Sequence, residues 1–399
     1  MRRYLEVLQV PHVAALVAAT LLARFPIGIN ALAVVLYMRE RTGSFAIAGV
    51  VAGSLAAGSG IGAPVAGRLV DRFGQRRVIV PLAFLHAAAL GALVATTELG
   101  APTAVLVVCG LVGGFAIPPT SAVLRSMWSS LLHERPDLIQ PAYALDSVLI
   151  ELIFILGPLL TGVLTAVAAP ELALAVSAVS VIAGALSFTA LPPSRGWRPE
   201  REPRPAGLLG ALSSPGVRSL VLISLPAGIG IGICEVALPA FTDASGSREL
   251  AGVLLAVWSL GSAAGGLAYG ALPRRPPLDR VHLAVAALLP LSFLPMAAAP
   301  SVAVMALLVI PAGMFIAPLL ATRNELVGRV APAGARTEAY TWPVTAFVGG
   351  ISIGAALAGV LVEGPGWRTA FLVAAGCAAV GAVLAVLRRK TLIASVALG

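Results

Sequence analysis

The chain has 399 residues, 58% hydrophobic and 11% charged, with a formal net charge of +9 at pH 7 and a mean hydropathy of +0.96. A soluble core of this size cannot bury that much apolar side chain, so the composition excludes a soluble globular protein and makes the bilayer the solvent. The positive charge would suit nucleic acid, but the basic residues alternate with long apolar segments and sort by side, which excludes that partner.

A bilayer crossing needs about 20 apolar residues with every backbone group bonded inside its own helix. Twelve spans are expected, at residues 11–38, 45–66, 78–97, 102–123, 142–168, 171–191, 217–241, 250–270, 281–299, 302–322, 340–362 and 369–387. The first is expected to stay as a helix: it is too long for a signal peptide, holds Arg24 and Pro26, and lacks a small-residue cleavage pattern. With the N-terminus inside, most of the 27 basic residues fall on inner segments, while Arg39, Arg41, Arg248 and Arg368 fall outside. That asymmetry puts both termini in the cytoplasm.

Between spans two and three lies Gly67-Arg68-Leu69-Val70-Asp71-Arg72-Phe73-Gly74-Gln75-Arg76-Arg77, five charges and two glycines between apolar segments. Gly67 and Gly74 permit a close approach and a tight turn. Asp71 can accept hydrogen bonds from backbone N–H groups at a neighbouring helix N-terminus, with Arg72, Arg76 and Arg77 as cations beside it. The stretch resembles the signature loop between the second and third helices of the major facilitator superfamily, where Gly, Asp, Arg, Gly and a basic pair recur at these spacings. That resemblance implies an all-α membrane protein, twelve transmembrane helices in two parallel six-helix repeats. It also implies that the loop, through Asp71 and Arg72, latches the cytoplasmic ends of the two halves when the transporter is open outward.

Ionisable residues inside a span are functional candidates by default, since a charge in lipid must be paired or face water. Arg24 lies near the middle of span one, and Glu151 about ten residues into span five, about 13 Å deep at about 1.5 Å per residue. Their matching depths predict an Arg24–Glu151 ion pair lining the cavity, either structural or part of coupling. Asp146, one turn into span five, is read as interfacial or capping. Glu235 in span seven has no cation in its own span and is a candidate proton carrier, or an exposed acid at the cavity mouth. Further along span five, Gly157-Pro158-Leu159-Leu160-Thr161-Gly162 resembles the antiporter motif of drug exporters, with Ile153 and Thr161 standing where that motif has glycines. The span-four arginine of those exporters has no counterpart within the span, because Arg125 falls at its cytoplasmic end.

The second half repeats the first. Ala48, Gly49, Gly58, Gly62, Gly67, Arg72 and Arg77 align with Ala251, Gly252, Gly261, Gly265, Gly270, Arg275 and Arg280. In the same way Ala142, Tyr143, Gly157 and Gly162 align with Ala339, Tyr340, Gly354 and Gly359, and Pro118 and Arg125 with Pro318 and Arg323. Asp71 then aligns with Arg274, so the latch is expected to be asymmetric. Two parallel repeats place a substrate site between them near mid-membrane. The expected organisation is an N-terminal bundle at 1–191, a Pro-rich cytoplasmic linker at 192–216 and a C-terminal bundle at 217–399. Gly58-x-x-x-Gly62 and Gly261-x-x-x-Gly265 allow close helix approach, within a bundle or at the seam between them. Glu325 and Arg323, at the cytoplasmic end of span ten, are expected to pair locally with the loop that follows, and Tyr143, Tyr340, Trp258 and Trp342 to be cavity surfaces or interfacial anchors.

These features lead to a secondary transporter, a proton-coupled exporter of a small organic molecule in a bacterial cytoplasmic membrane. An uptake symporter or a sugar or metabolite facilitator of the same fold stays open as the alternative. A polytopic membrane enzyme is a distant one, since His12, His86, His133 and His282 are scattered and no HExxH appears. No cofactor and no metal are expected: Cys109, Cys234 and Cys377 all fall within spans and form no CxxC. Expected partners are a small-molecule substrate, protons and membrane lipids, with the chain a monomer. A single lysine, Lys390, amid many arginines suggests a GC-rich bacterial genome.

Overall fold

The computed structural model describes residues 2–197, 210–247, 250–273 and 276–393. An amphipathic helix α1 (Arg2–Gln9) precedes α2 (Val13–Thr42), α3 (Phe45–Phe73), α4 (Gln75–Glu98), α5 (Thr103–Phe115), α6 (Thr120–Leu131), α7 (Ile139–Val167), α8 (Pro170–Ala190) and the short α9 (Pro192–Gly196). Then follow α10 (Pro215–Ala244), α11 (Ala251–Ala271), α12 (Leu278–Phe293), α13 (Val302–Met314), α14 (Ile316–Val330), α15 (Arg336–Glu363), α16 (Trp367–Leu387) and α17 (Arg389–Leu392). Among the described residues twelve segments are long and apolar enough to cross a membrane, with α5 and α6 forming the fourth and α13 and α14 the tenth. The protein is a multi-pass all-α membrane protein of two parallel six-helix repeats. The end that carries α1 and α17 is called proximal below, and the other distal.

Several helices run past the expected spans, because a helix need not stop where the apolar run does. The stretch from Gly67 to Arg77 is mainly helical: it is the last two turns of α3 and the first of α4, joined at Gly74 with φ 93°. A side chain at that φ is strained, so the backbone at Gly74 needs glycine. Ser44, Ser214 and Ser301 cap the N-termini of α3, α10 and α13 by accepting from the amides of Ile47, Val217 and Val304.

The breaks in the fourth and tenth spans share one cause. Pro119 has no N–H to offer the Phe115 carbonyl, and Pro318 none for that of Met314, so the helix is interrupted in each repeat. Gly62 packs against Phe115 and Gly265 against Met314, each too close for a Cβ. Gly58 and Gly261 meet α5 and α13 one turn away. These glycine pairs therefore serve packing inside each half, and the seam between halves is built from other residues.

Three apolar clusters describe the bundle. One, including Ile29, Tyr37, Val51 and Leu93, lies in the distal part of the first half, and a second, including Ile233, Phe241, Phe293 and Phe371, in the distal part of the second. The third joins both halves at the proximal end, through Val7, Val70, Trp128, Tyr143, Val217, Leu326 and Tyr340. A core shared at one end and divided at the other is a bundle closed proximally.

Candidate functional site

The hydrogen bonds that join the halves gather in the proximal parts of α3, α7, α11 and α15. Asp71, buried near the end of α3, accepts from the amide of Thr337 at 3.1 Å and of Glu338 at 2.9 Å. Both amides belong to the first turn of α15, whose N–H groups have no partner within the helix, and the helix dipole favours a carboxylate there. Arg68, one turn back, grips the Glu338 carboxylate with Nε at 3.1 Å and Nη2 at 2.7 Å, and the Trp342 indole donates to the same carboxylate at 3.2 Å. Gly67 lies so close to the Glu338 backbone that a Cβ would collide.

The other members of the motif stand aside. Arg72 is exposed with its guanidinium 5.1 Å from the Phe73 ring centroid, and Arg76 and Arg77 are exposed. The cation of this stretch that joins α3 to α15 is thus Arg68, not Arg72. The reason is helical phase: Arg68 is three residues before Asp71 and shares its face, whereas Arg72 is turned about 100° away.

The pseudo-equivalent seam between α7 and α11 uses other chemistry. Gln140 donates through Nε2 to the carbonyls of Tyr269 at 2.5 Å, in the last turn of α11, and of Leu272 at 3.1 Å, its C-cap. The Tyr4 hydroxyl reaches the carbonyls of Gly266 and Leu267 at 3.0 and 2.7 Å. Arg274 and Arg275, aligned with Asp71 and Arg72, lie outside the described residues. Between the two seams the Tyr143 and Tyr340 hydroxyls meet at 2.5 Å. Their matched positions in the repeat were the available signal for that bridge.

Arg24 does not pair with Glu151. Its Nη2 bonds Asp146 Oδ1 and its Nε bonds the Ser121 hydroxyl, while Arg125 Nε reaches Asp146 Oδ2 at 2.6 Å. Asp146 is 2% exposed, so it is neither interfacial nor a cap. The structural cause is that α7 begins at Ile139, which puts Asp146 two turns deep. Glu151, five residues on, is turned about 140° around the helix, away from Arg24. Arg125 is likewise drawn into the buried cluster, 8% exposed, by its bond to Asp146.

Glu151 instead faces the second half, where the buried Ser262 of α11 donates to it at 2.8 Å. Glu235, exposed on α10, lies within electrostatic reach of Glu151. Two acids from opposite halves thus lie within electrostatic reach of each other, and among the described residues neither has an ion pair. Gly157 packs on the backbone of Gly28 in α2, Thr161 donates to the Gly157 carbonyl at 2.9 Å, and Gly162 faces open space. Pro158 lies inside α7. Glu325 pairs with Arg329 one turn on at 3.1 Å, the local pairing expected of it; Arg323 hydrogen-bonds Asn324 Oδ1 at 3.3 Å and has no carboxylate partner among the described residues.

The family model described as "Major Facilitator Superfamily" matches residues 16–294 and 220–394. The multidrug efflux pump Tap of Mycobacterium tuberculosis (strain ATCC 25618 / H37Rv) is 27% identical over 376 residues, spanning 89% of this chain and 88% of that protein. A bacterial homologue of the iron transporter ferroportin, solved in an outward-facing state, superposes with a TM-score of 0.76 at 14% identity over 94% of this chain and 99% of that one. The E. coli fucose:proton symporter superposes with a TM-score of 0.65 at 16% identity, over 94% and 99%.

Proposed function

Since the chain belongs to the major facilitator superfamily, and is therefore a transporter of that family, we propose that it is a proton-coupled exporter of a small, weakly charged amphipathic molecule. The carrying observation is that Glu151 and Glu235, on opposite halves, lie within electrostatic reach of each other and that neither has an ion pair among the described residues. Two acids brought near each other in an apolar cleft favour uptake of one proton or of a basic group, and rocking of the halves changes their separation. The likeness over most of the chain to a protein named as a multidrug efflux pump supports the outward direction.

In this reading 1–191 and 217–399 are the two moving bundles and 192–216 is their tether. The proximal end is cytoplasmic, both termini lie there, and the membrane is a bacterial inner membrane. The chain works as a monomer among membrane lipids, with Arg195 at the lipid surface. The closed proximal end is the outward-open state, with Asp71 and Arg68 as its latch. Gly157 of the antiporter-like motif holds α7 against α2, so that this half moves as one body.

The test is transport in energised inside-out vesicles of a drug-sensitive host. Accumulation of a lipophilic cation driven by a proton gradient is expected, and Glu235→Gln should abolish its dependence on pH. A rate that keeps its pH dependence in Glu235→Gln removes Glu235 as the proton carrier, and accumulation only in right-side-out vesicles reverses the direction to uptake.

A further inference from the structure

Arg323 of α14 stands in the second repeat where Arg125 stands in the first, but without the carboxylate. Asp146 comes three residues after Tyr143; three residues after the aligned Tyr340 is Pro343. Arg323 is 5% exposed, and its Nε and Nη1 have no hydrogen-bond partner among the described residues. Its Nη2 donates to Asn324 Oδ1 at 3.3 Å, and the guanidinium carbon lies 5.4 Å from the Phe347 ring centroid. Asp146 lies within electrostatic reach but is already held by two other guanidiniums, and Arg125 opposes Arg323.

Two neighbours are also unfilled. The Asn324 side-chain nitrogen, 2% exposed as a residue, has no acceptor. His282 of α12 lies within electrostatic reach of Arg323. Its Nδ1 meets the Thr322 hydroxyl at 2.8 Å; that hydroxyl donates to the Pro318 carbonyl, so Nδ1 carries the proton and the unpartnered Nε2 is an acceptor. A bare guanidinium in a membrane interior is unfavourable by several kcal/mol. A water molecule would fill the hydrogen bonds and leave the charge.

We propose that Arg323, with the Asn324 amide beside it and the Phe347 ring against it, is an anion-binding site in the second repeat. It takes the carboxylate of an organic anion, or a small inorganic anion such as chloride, in the role that Asp146 fills for Arg125. The ring lies against the apolar part of an organic anion, and His282 Nε2 accepts from a hydroxyl or water carried with it. The Tyr143–Tyr340 bridge, the shared core and the contacts of Asp71, Arg68, Gln140 and Tyr4 close the proximal end, so separation of the halves exposes the site to the proximal side.

The site is tested by binding alone, so its failure leaves the export reading standing. The full-length protein in nanodiscs is titrated with benzoate or with sodium chloride in a methanesulfonate buffer of constant ionic strength, and its thermal midpoint is followed. The expected result is a saturable rise of several degrees with at least one probe: benzoate alone marks an organic carboxylate site, chloride alone an inorganic one. Arg323→Gln should remove the rise, and Arg72→Ala should keep it. Pro343→Asp, which restores an internal carboxylate, should raise the midpoint without probe and also remove the response, which keeps the test decisive if Arg323→Gln does not fold. No saturable rise with either probe, or an unchanged rise in Arg323→Gln or Pro343→Asp, overturns the site.

Discussion

The two halves follow one plan but settle their buried charges differently. In the first, a single carboxylate, Asp146, gathers Arg24 and Arg125, and a second buried set, Asn30, His86, Ser177 and the Gly113 carbonyl, is joined by hydrogen bonds throughout. In the second, Arg323, Asn324 and His282 each leave polar atoms unmatched. The seams differ too: a carboxylate meets helix N-terminal amides at α3 and α15, whereas neutral donors meet helix C-terminal carbonyls at α11 and α7. Duplication has kept the frame of twelve helices and let the charges diverge, so function is to be sought where aligned positions disagree.

The strongest way to break this comparison is Asp146→Asn. It leaves two guanidiniums buried without an anion, and removal of one partner from a buried ion pair typically costs about 3–5 kcal/mol. The expected outcome is a large fall in thermal midpoint and in folded yield; a midpoint equal to the parent would mean that Asp146 is not the hub. Next, Asp71→Asn replaces a charged acceptor by a neutral one at α15. A loss of about 2 kcal/mol, on the order of 30-fold in the balance between outward-open and inward-open states, is expected. Transport should fall accordingly in vesicles.

Gln140→Ala removes only neutral hydrogen bonds at the other seam. A shift of about 1 kcal/mol, roughly fivefold, is expected, so a deficit as large as that of Asp71→Asn would erase the proposed asymmetry. A double-mutant cycle sharpens the internal assignment: Arg24→Ala and Glu151→Gln should act additively on stability, while Arg24→Ala and Asp146→Asn should couple strongly. The smallest effect belongs to Arg72→Ala, which should transport at close to the parent rate.

The frame was legible because hydrophobic run length and charged loops report directly on a bilayer. So was the partner of Asp71: a carboxylate at those spacings calls for helix N-terminal amides, and it meets those of Thr337 and Glu338. What the sequence hid was helical phase. Depth alone matched Arg24 with Glu151, but a start of α7 at Ile139 turns Asp146 toward Arg24 and Glu151 toward Ser262. The same difficulty favoured Arg72 over Arg68, since a stretch read as a loop has no faces to compare. The partner of Arg68, Glu338, stood in view as an acid just ahead of span eleven, but the pairing joins residues far apart in the chain.

The central claim is that Asp71 holds the proximal end shut. It is tested most directly by pulsed electron spin resonance between labels on the exposed Arg76 of the first half and Arg388 of the second, with Cys109, Cys234 and Cys377 replaced. The parent should give one short distance, and Asp71→Asn should add a second, longer population of comparable weight. An Asp71→Asn distribution that superimposes on that of the parent would contradict the latch.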